Sequence, residues 1–302
     1  LCKGGDERLS RQPMPKEANH MALKDMVQTP DDRPVIMTIC GDAGVGKTRL
    51  AATFPNPIFI RAEDGMQSIP RAERPAAFPL LASYPKPGDG VAALFDQLLA
   101  LLKEDHDYKT LVIDSVTALD VLFTAEALER DGRAKTLAQA LGGYGAGVQY
   151  VAGQHARVRK AAGLLNERKG MHIVFVAHAD VETMRLPDQD DYQRYSLRLP
   201  PKSLPPYVDD VDMVGFVRLV SVVRGEEGER KRSISTGDRE LVVSASSANV
   251  SKNRFGITDT LDVIEGQNPL YGIVPGLIGT AKTEPKPAKV KAETKQENTE
   301  NV

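Results

Sequence analysis

The feature that most constrains this chain is one octapeptide that fits the pattern GxxxxGK[ST] at every fixed position: Gly41, Asp42, Ala43, Gly44, Val45, Gly46, Lys47 and Thr48. An apolar run at 35–39 precedes it and a helix-forming run at 49–52 follows, which predicts a strand, a glycine loop and a helix in that order. Such a loop turns its backbone N–H groups towards phosphate oxygens, and the helix N-terminus adds a favourable dipole. We expect Lys47 to face the ligand cavity and reach the β- and γ-phosphates of ATP, and Thr48 to ligate Mg²⁺.

An acidic residue ends the apolar strand predicted at 110–113. Asp114 there has the Walker B form, and its carboxylate can hold the Mg²⁺ shell beside Thr48. Asp114 and Ser115 would also suit the N-cap of the helix predicted over 116–129. The P-loop lies upstream at normal domain spacing, which favours the metal-binding role for Asp114.

Two adjacent acids, Glu63 and Asp64, follow the strand predicted at 57–60. A carboxylate at the C-terminal end of that strand can polarise the water that attacks a γ-phosphate. Glu-Asp-Gly is also ordinary turn chemistry. Spacing alone leaves the catalytic interpretation and the solvated turn equally open.

The residues that follow these two strands resemble the RecA/RadA recombinase core. Ala62 and Glu63 follow the first strand, and residues 112–119, with the sequence VIDSVTAL, span the end of the next. The resemblance implies that Glu63 activates water. It also implies that His178, which ends the strand predicted at 172–176, is a sensor coupling the γ-phosphate to a DNA-binding loop. A histidine that only caps the strand end fits the sequence nearly as well.

A second match to this family lies at residues 252–256, which read KNRFG, identical to a signature of bacterial RadA. The resemblance implies that Lys252 and Arg254 complete the nucleotide site of a neighbouring subunit in a homo-oligomer, a ring or a filament. The alternative is an exposed basic strand that turns at Gly256. The sequence shows neither the zinc module nor the protease-like domain of RadA. In this trimmed form it is similar to phage-encoded RecA-like ATPases of the Sak class, which are single-strand annealing and recombination proteins.

Three segments are candidates for contact with single-stranded DNA. Residues 181–202 interleave arginines and tyrosines, but acids cancel their charge, so a solvated lid is equally consistent. The glycine-rich stretch 142–147 predicts a mobile loop. A basic cluster in and directly after the helix predicted over 150–168 is a stronger electrostatic candidate, although charged helix faces are often only solvated. Its members are Arg157, Arg159, Lys160, Arg168 and Lys169.

Composition sets outer limits. At 302 residues, 41% hydrophobic and 26% charged, the chain suits one large domain with tails. We expect an N-terminal extension at 1–33, a RecA-like ATPase domain at 34–265 and a tail at 266–302 that is disordered from about 281. Met21 resembles a natural start, which would make residues 1–20 an upstream extension. A net charge of −2 restricts any nucleic-acid contact to local basic loops, and two cysteines exclude a disulfide framework or zinc site.

The order of elements predicts an α/β fold: a RecA-like P-loop NTPase core with a mostly parallel sheet flanked by helices and an antiparallel extension. Late strands are predicted at 213–223, 231–235 and 241–244. The expected function is that of an oligomeric Mg²⁺-dependent ATPase acting on single-stranded DNA in phage recombination or repair. A single-strand-binding protein is a further expected partner, membranes are not, and the cytoplasm of a bacterial host is the expected location. Alternatives are a helicase or packaging motor of the same fold, a small-molecule phosphotransferase, or an ATP-loaded DNA-binding adaptor that hardly hydrolyses.

Overall fold

The computed structural model describes residues 33–188, 190–224 and 232–277, and these belong to one compact unit. The extension predicted at 1–20 and the disordered tail predicted from 281 lie outside the described residues. Among the helices that are described, none is long and apolar enough to cross a lipid bilayer.

Strands and helices alternate along the first two thirds of the described chain, and strands dominate the rest. The strands are β1 (Ile36–Gly41), β2 (Pro57–Arg61), β3 (Ala76–Ala77), β4 (Thr110–Asp114), β5 (His172–Met184), β6 (Tyr192–Leu197), β7 (Met213–Arg224), β8 (Arg232–Val242), β9 (Lys252–Asn253) and β10 (Leu261–Asp262). The α-helices are α1 (Lys47–Ala52), α2 (Pro87–Lys103), α3 (Val116–Arg130), α4 (Ala146–Lys169) and α5 (Pro205–Val208).

The sheet has the order β10-β8-β7-β1-β5-β4-β2-β3, with β6 paired to β5 and β9 paired to β7. Strands β7, β1, β5, β4, β2 and β3 are all parallel, whereas β8, β10, β6 and β9 add antiparallel pairs. The predicted α/β class, a mostly parallel sheet with an antiparallel extension, is confirmed. Because β1, β5 and β4 are parallel neighbours, their carboxyl ends meet at one edge of the sheet.

Apolar side chains cover both faces of the central strands, and every residue of β1 and β4 is buried. This explains why these strands read as continuous apolar runs rather than alternating ones. One face packs on α2, α3 and α4, through side chains such as Leu98, Phe123 and Val158. The other packs on α1 and on residues 270–277. Full burial of one such side chain stabilises the fold by about 1.5–3 kcal/mol.

Three predicted boundaries were wrong, two of them because long-range pairing extends strands beyond their local signals. β5 continues to Met184 instead of ending at residue 176. It forms an antiparallel hairpin with β6 in the segment 181–202, which the sequence left open between a DNA contact and a solvated lid. The strand predicted at 241–244 is the end of β8, which pairs with β7 through a register shift. α4 begins at Ala146, inside the glycine-rich stretch predicted as a loop.

Candidate nucleotide-binding site

The glycines of the P-loop are explained by close packing and backbone conformation. β1 ends at Gly41, where a Cβ atom would lie only 2.4 Å from the carbonyl oxygen of Val217 on β7. Gly46 has a φ of +98°, in the left-handed region that favours glycine, and it is the N-cap of α1. The predicted order of strand, loop and helix is therefore present, and the N-terminus of α1 opens into the loop.

Lys47 lines the cleft at the loop, but its ammonium group is turned inward. Nζ donates hydrogen bonds to the carbonyl oxygens of Gly41, at 3.0 Å, and Asp42, at 2.8 Å. The side chain is buried, and burial lowers the pKa of its ammonium group. The expectation that Lys47 simply faces the cavity was incomplete, because its ammonium group is bonded to two backbone carbonyls, which it would have to leave to reach a ligand in the cleft.

Thr48 and Asp114 meet at the carboxyl ends of β1 and β4. The Thr48 hydroxyl donates to Oδ2 of Asp114 at 2.7 Å, while Oδ1 is buried and has no hydrogen-bond partner among the described residues. Burial raises the pKa of this carboxyl group to about 6. The helix cap is supplied instead by Ser115, whose hydroxyl accepts from the backbone N–H of Ala118 at 3.1 Å.

The space around this pair suits a small, hard cation. A Cβ atom at Gly65 would lie 2.7 Å from the Thr48 hydroxyl and 2.9 Å from Oδ2 of Asp114, so glycine keeps this space open. Mg²⁺ takes oxygen ligands, and in nucleotide sites it uses one or two protein groups together with phosphates and water. The hydroxyl, the buried carboxylate with a free oxygen and the open space all fit Mg²⁺.

Glu63 and His178 form a hydrogen-bonded pair that also lines the cleft. Nε2 of His178 lies 3.0 Å and 3.3 Å from the two carboxylate oxygens of Glu63. The hydrogen bond from His178 is the main cause that lowers the pKa of Glu63, against the raising effect of burial. The backbone N–H of Glu63 donates to the carbonyl of Asp114, which ties the end of β2 to the end of β4. The neighbouring acid, Asp64, is paired with Arg61.

One cleft of about 630 Å³ connects Lys47, Thr48, Glu63 and His178, within the size range of small-molecule sites. A further cation, Arg239 on β8, also lines it. Sequence reasoning missed Arg239 because residues 238–240 carry no motif and because the course of β8 depends on pairing with β7.

The structure does not bring Lys252 and Arg254 to this cleft. β9 pairs with Met213 and Val214 at the start of β7, whereas Val217 of the same strand pairs with Gly41 at the P-loop. The two ends are about 10–13 Å apart along the strand. Lys252 donates to the carbonyl of Asp209, and Arg254 donates to the Asp212 carboxylate at 3.2 Å.

The basic residues predicted to contact DNA mostly have intramolecular partners. In the β5–β6 hairpin, Arg194 pairs with Glu182 and Arg185 with Asp191. On α4, three members of the predicted basic cluster contact three different parts of the protein. Arg157 lies over the Phe95 ring, Arg159 donates to the carbonyl of Asp210, and Lys169 donates to the carbonyl of Glu104. The five cations of α4 therefore do not form one free surface.

Comparison with known proteins identifies the family of this chain. No curated protein matches the chain. A family model described as an AAA domain (AAA_24) matches residues 33–255, well over half of the chain. The match covers the P-loop, Glu63, Asp114 and His178, so the cleft lies within an AAA-type P-loop ATPase domain. The chain therefore belongs to this AAA domain family of P-loop ATPases.

Proposed function

We propose that this protein is a Mg²⁺-dependent ATPase that binds single-stranded DNA and acts in phage-type recombination or strand annealing. The observation that carries the proposal is that two hydrogen-bonded pairs meet at one cleft: Thr48, Glu63 and His178 line it, and the buried Asp114 is bonded to Thr48. Thr48 and Asp114 offer oxygen ligands at the P-loop, and Glu63 with His178 offers an ionised carboxylate close by. Hydrolysis of a phosphoanhydride needs these two functions side by side.

In the proposed mechanism, Glu63 accepts a proton from the water that attacks the γ-phosphate. Its lowered pKa keeps it ionised at neutral pH, and the His178 hydrogen bond holds its orientation. Lys47 leaves the carbonyls of Gly41 and Asp42 and pairs with phosphate oxygens. Thr48 and Asp114 would hold Mg²⁺, which would supply charge neutralisation at the phosphates.

His178 also provides a route from the nucleotide to the β5–β6 hairpin, which we propose as a DNA-contacting element. The carbonyl of His178 accepts a hydrogen bond from the N–H of Arg198 at 2.8 Å, directly after β6. A change at Glu63 on hydrolysis would therefore move the base of the hairpin. Tyr195 on β6 is 40% exposed and stacks on Phe216 with ring centroids 4.9 Å apart. An exposed, supported aromatic ring suits stacking on an unpaired base.

We further propose that Lys252 and Arg254 act on the nucleotide of a neighbouring subunit. The support is their distance from the cleft of their own chain and the match of 252–256 to the RadA signature. Cations supplied in trans stabilise the charge that develops in the transition state.

The proposal is tested by ATP hydrolysis with and without single-stranded DNA, together with the oligomeric state under the same conditions. We expect an oligomer whose Mg²⁺-dependent turnover rises severalfold with single-stranded DNA. Directional unwinding without annealing would instead favour a helicase or motor. DNA-independent phosphate transfer to a metabolite by a monomer would contradict the proposal.

A further inference from the structure

Arg239 lies in the candidate nucleotide cleft, and its side chain has no hydrogen-bond or ion-pair partner among the residues that the structure describes. Its side chain is exposed, and its Nε and Cδ atoms lie 3.4 Å and 3.6 Å from where a Cβ atom on Gly46 would stand. Within the described residues its guanidinium group makes no hydrogen bond and no ion pair. A side chain on Gly46 would stand against Arg239, so glycine at this position leaves room for the guanidinium beside the P-loop.

Other arginines near the loop are already engaged. Arg218, on the partner strand β7, pairs with Glu240, and Arg49 pairs with Glu265 and the carbonyl of Ser68. Arg61 pairs with Asp64. An unpaired guanidinium beside the inward-facing amides of a P-loop lies in a region of positive potential, which an anion would relieve.

The strand holds Arg239 in place. The Arg239 carbonyl accepts a hydrogen bond from the N–H of Val263 at 2.9 Å, and its backbone is in register with Leu219 of β7. It is therefore attached to the sheet on both sides. A guanidinium on a fixed strand loses less conformational entropy on binding than one on a loop.

The neighbours of Arg239 indicate which part of the nucleotide it would meet. Arg239 and Gly46 line the main cleft, and they also line a second cavity beside Arg49 and Thr53. Glu63 and His178 line the main cleft only. Arg239 thus lies towards the end of the cleft away from the pair that activates water. The second cavity is much smaller, at about 30 Å³ compared with about 630 Å³ for the main cleft.

We propose that Arg239 binds the α- and β-phosphates of the nucleotide held by its own subunit. It would act as an affinity residue, so it sets how tightly ATP and ADP bind and leaves the rate of the chemical step unchanged. The inference rests on the proposed nucleotide site. It adds a cation supplied in cis by β8, distinct from the trans-acting role of Lys252 and Arg254.

The test compares Arg239→Gln with wild-type protein in calorimetric titrations with Mg-ADP and a non-hydrolysable Mg-ATP analogue, together with turnover at saturating ATP. We expect both nucleotides to bind about 5- to 20-fold more weakly, as expected for loss of a charge-assisted hydrogen bond at a partly exposed site. Turnover at saturation should fall much less than affinity, because an interaction made equally in the ground state and the transition state affects KM and not kcat. Arg239→Lys should lose less affinity than Arg239→Gln, since a point charge is kept.

The matched control is Arg218→Gln, which removes the same charge from the same hairpin but from an arginine already paired with Glu240. An equal loss in the control would show a general charge effect and overturn the inference. Unchanged affinity in Arg239→Gln, or a loss restricted to the ATP analogue with a fall in turnover, would also overturn it. Thermal unfolding without nucleotide checks that each variant folds.

The same titrations separate this inference from the proposed function. If wild-type protein binds no nucleotide, the proposed function fails as well. If wild-type protein binds and hydrolyses ATP while Arg239→Gln is normal, only the inference fails.

Discussion

The carboxyl ends and the amino ends of the central parallel strands, here called the carboxyl edge and the amino edge of the sheet, differ in how their buried carboxylates are paired. At the carboxyl edge, Asp114 is buried, has one oxygen without a partner in the part of the chain that the structure describes, and has a raised pKa; Lys47 has a lowered pKa. At the amino edge, Asp212 is just as buried, but its carboxylate accepts from the N–H of Ile36, from Arg33 and from Arg254. The Asp212 carboxylate is paired through both oxygens, whereas the Asp114 carboxylate is paired through only one among the described residues. Incomplete, buried charge is typical of a site that a ligand completes.

The largest expected effect is at Lys47. Replacing Lys47 with alanine should abolish nucleotide binding or turnover, because no other cation of the octapeptide can pair with the β- and γ-phosphates. Calorimetric titration with Mg-ATP checks this. Stability should fall modestly, since the carbonyls of Gly41 and Asp42 lose their donor. Wild-type ATPase activity in the variant would contradict the assignment of the cleft.

The next prediction concerns Lys252 and Arg254 at the amino edge, which we propose act on the nucleotide of a neighbouring subunit. The double variant Lys252→Ala/Arg254→Ala should lose about 10³–10⁵-fold in turnover while binding ATP almost normally. Mixing it with Lys47→Ala protein should restore some hydrolysis, because mixed oligomers combine an intact P-loop with intact cations. The restored rate should rise with protein concentration. Normal hydrolysis by the double variant, or full turnover by wild-type monomers, would contradict a shared site.

Asp114 offers a test on stability rather than rate. Its pKa rises from 3.8 to about 6 on folding, so the folded state binds the proton more tightly and loses stability as pH rises between these values. At pH 7.5 without metal, the free energy of unfolding of Asp114→Asn should therefore be about 2–3 kcal/mol higher than that of wild type. At pH 3 the difference should vanish. Chemical denaturation at the two pH values measures this.

A second measurement on Asp114 uses Mg-ADP, which should favour wild-type protein over Asp114→Asn. Mg-ADP should stabilise wild-type protein against denaturant and leave Asp114→Asn nearly unaffected, because the variant lacks the carboxylate that holds the ion. Equal stabilisation of both proteins would contradict the metal-binding role of Asp114.

The smallest expected effect is a shift in the pH profile through His178. His178→Ala removes the hydrogen bond that lowers the pKa of Glu63 and leaves the raising effect of burial. The acidic limb of turnover against pH should then move to higher pH. His178→Gln keeps a hydrogen-bond donor and should stay closer to wild type. Identical acidic limbs in all three proteins would contradict the coupling between His178 and Glu63.

The sequence predicted features that depend on neighbouring residues, and it did not predict features that depend on contacts between distant segments. The P-loop and the helix starting at Val116 depend on spacing within a few residues, and both lie where they were predicted. The extension of β5 to Met184 depends on pairing with β6, which local periodicity does not reveal. The inward turn of Lys47 and the approach of Arg239 to Gly46 depend on side-chain packing across the sheet. Those features could not be predicted from one sequence.

Glu63 gives the most direct measurement of whether the carboxyl edge is a hydrolytic site. Turnover and Mg-ATP affinity should be measured for Glu63→Gln and for its adjacent control, Asp64→Asn. We predict that Glu63→Gln binds ATP normally and hydrolyses it about 10²–10⁴-fold more slowly, as expected for loss of a general base. Asp64→Asn should hydrolyse ATP near the wild-type rate, because Asp64 is paired with Arg61 rather than with His178. Normal turnover by Glu63→Gln, or loss of turnover in Asp64→Asn alone, would contradict the proposed site.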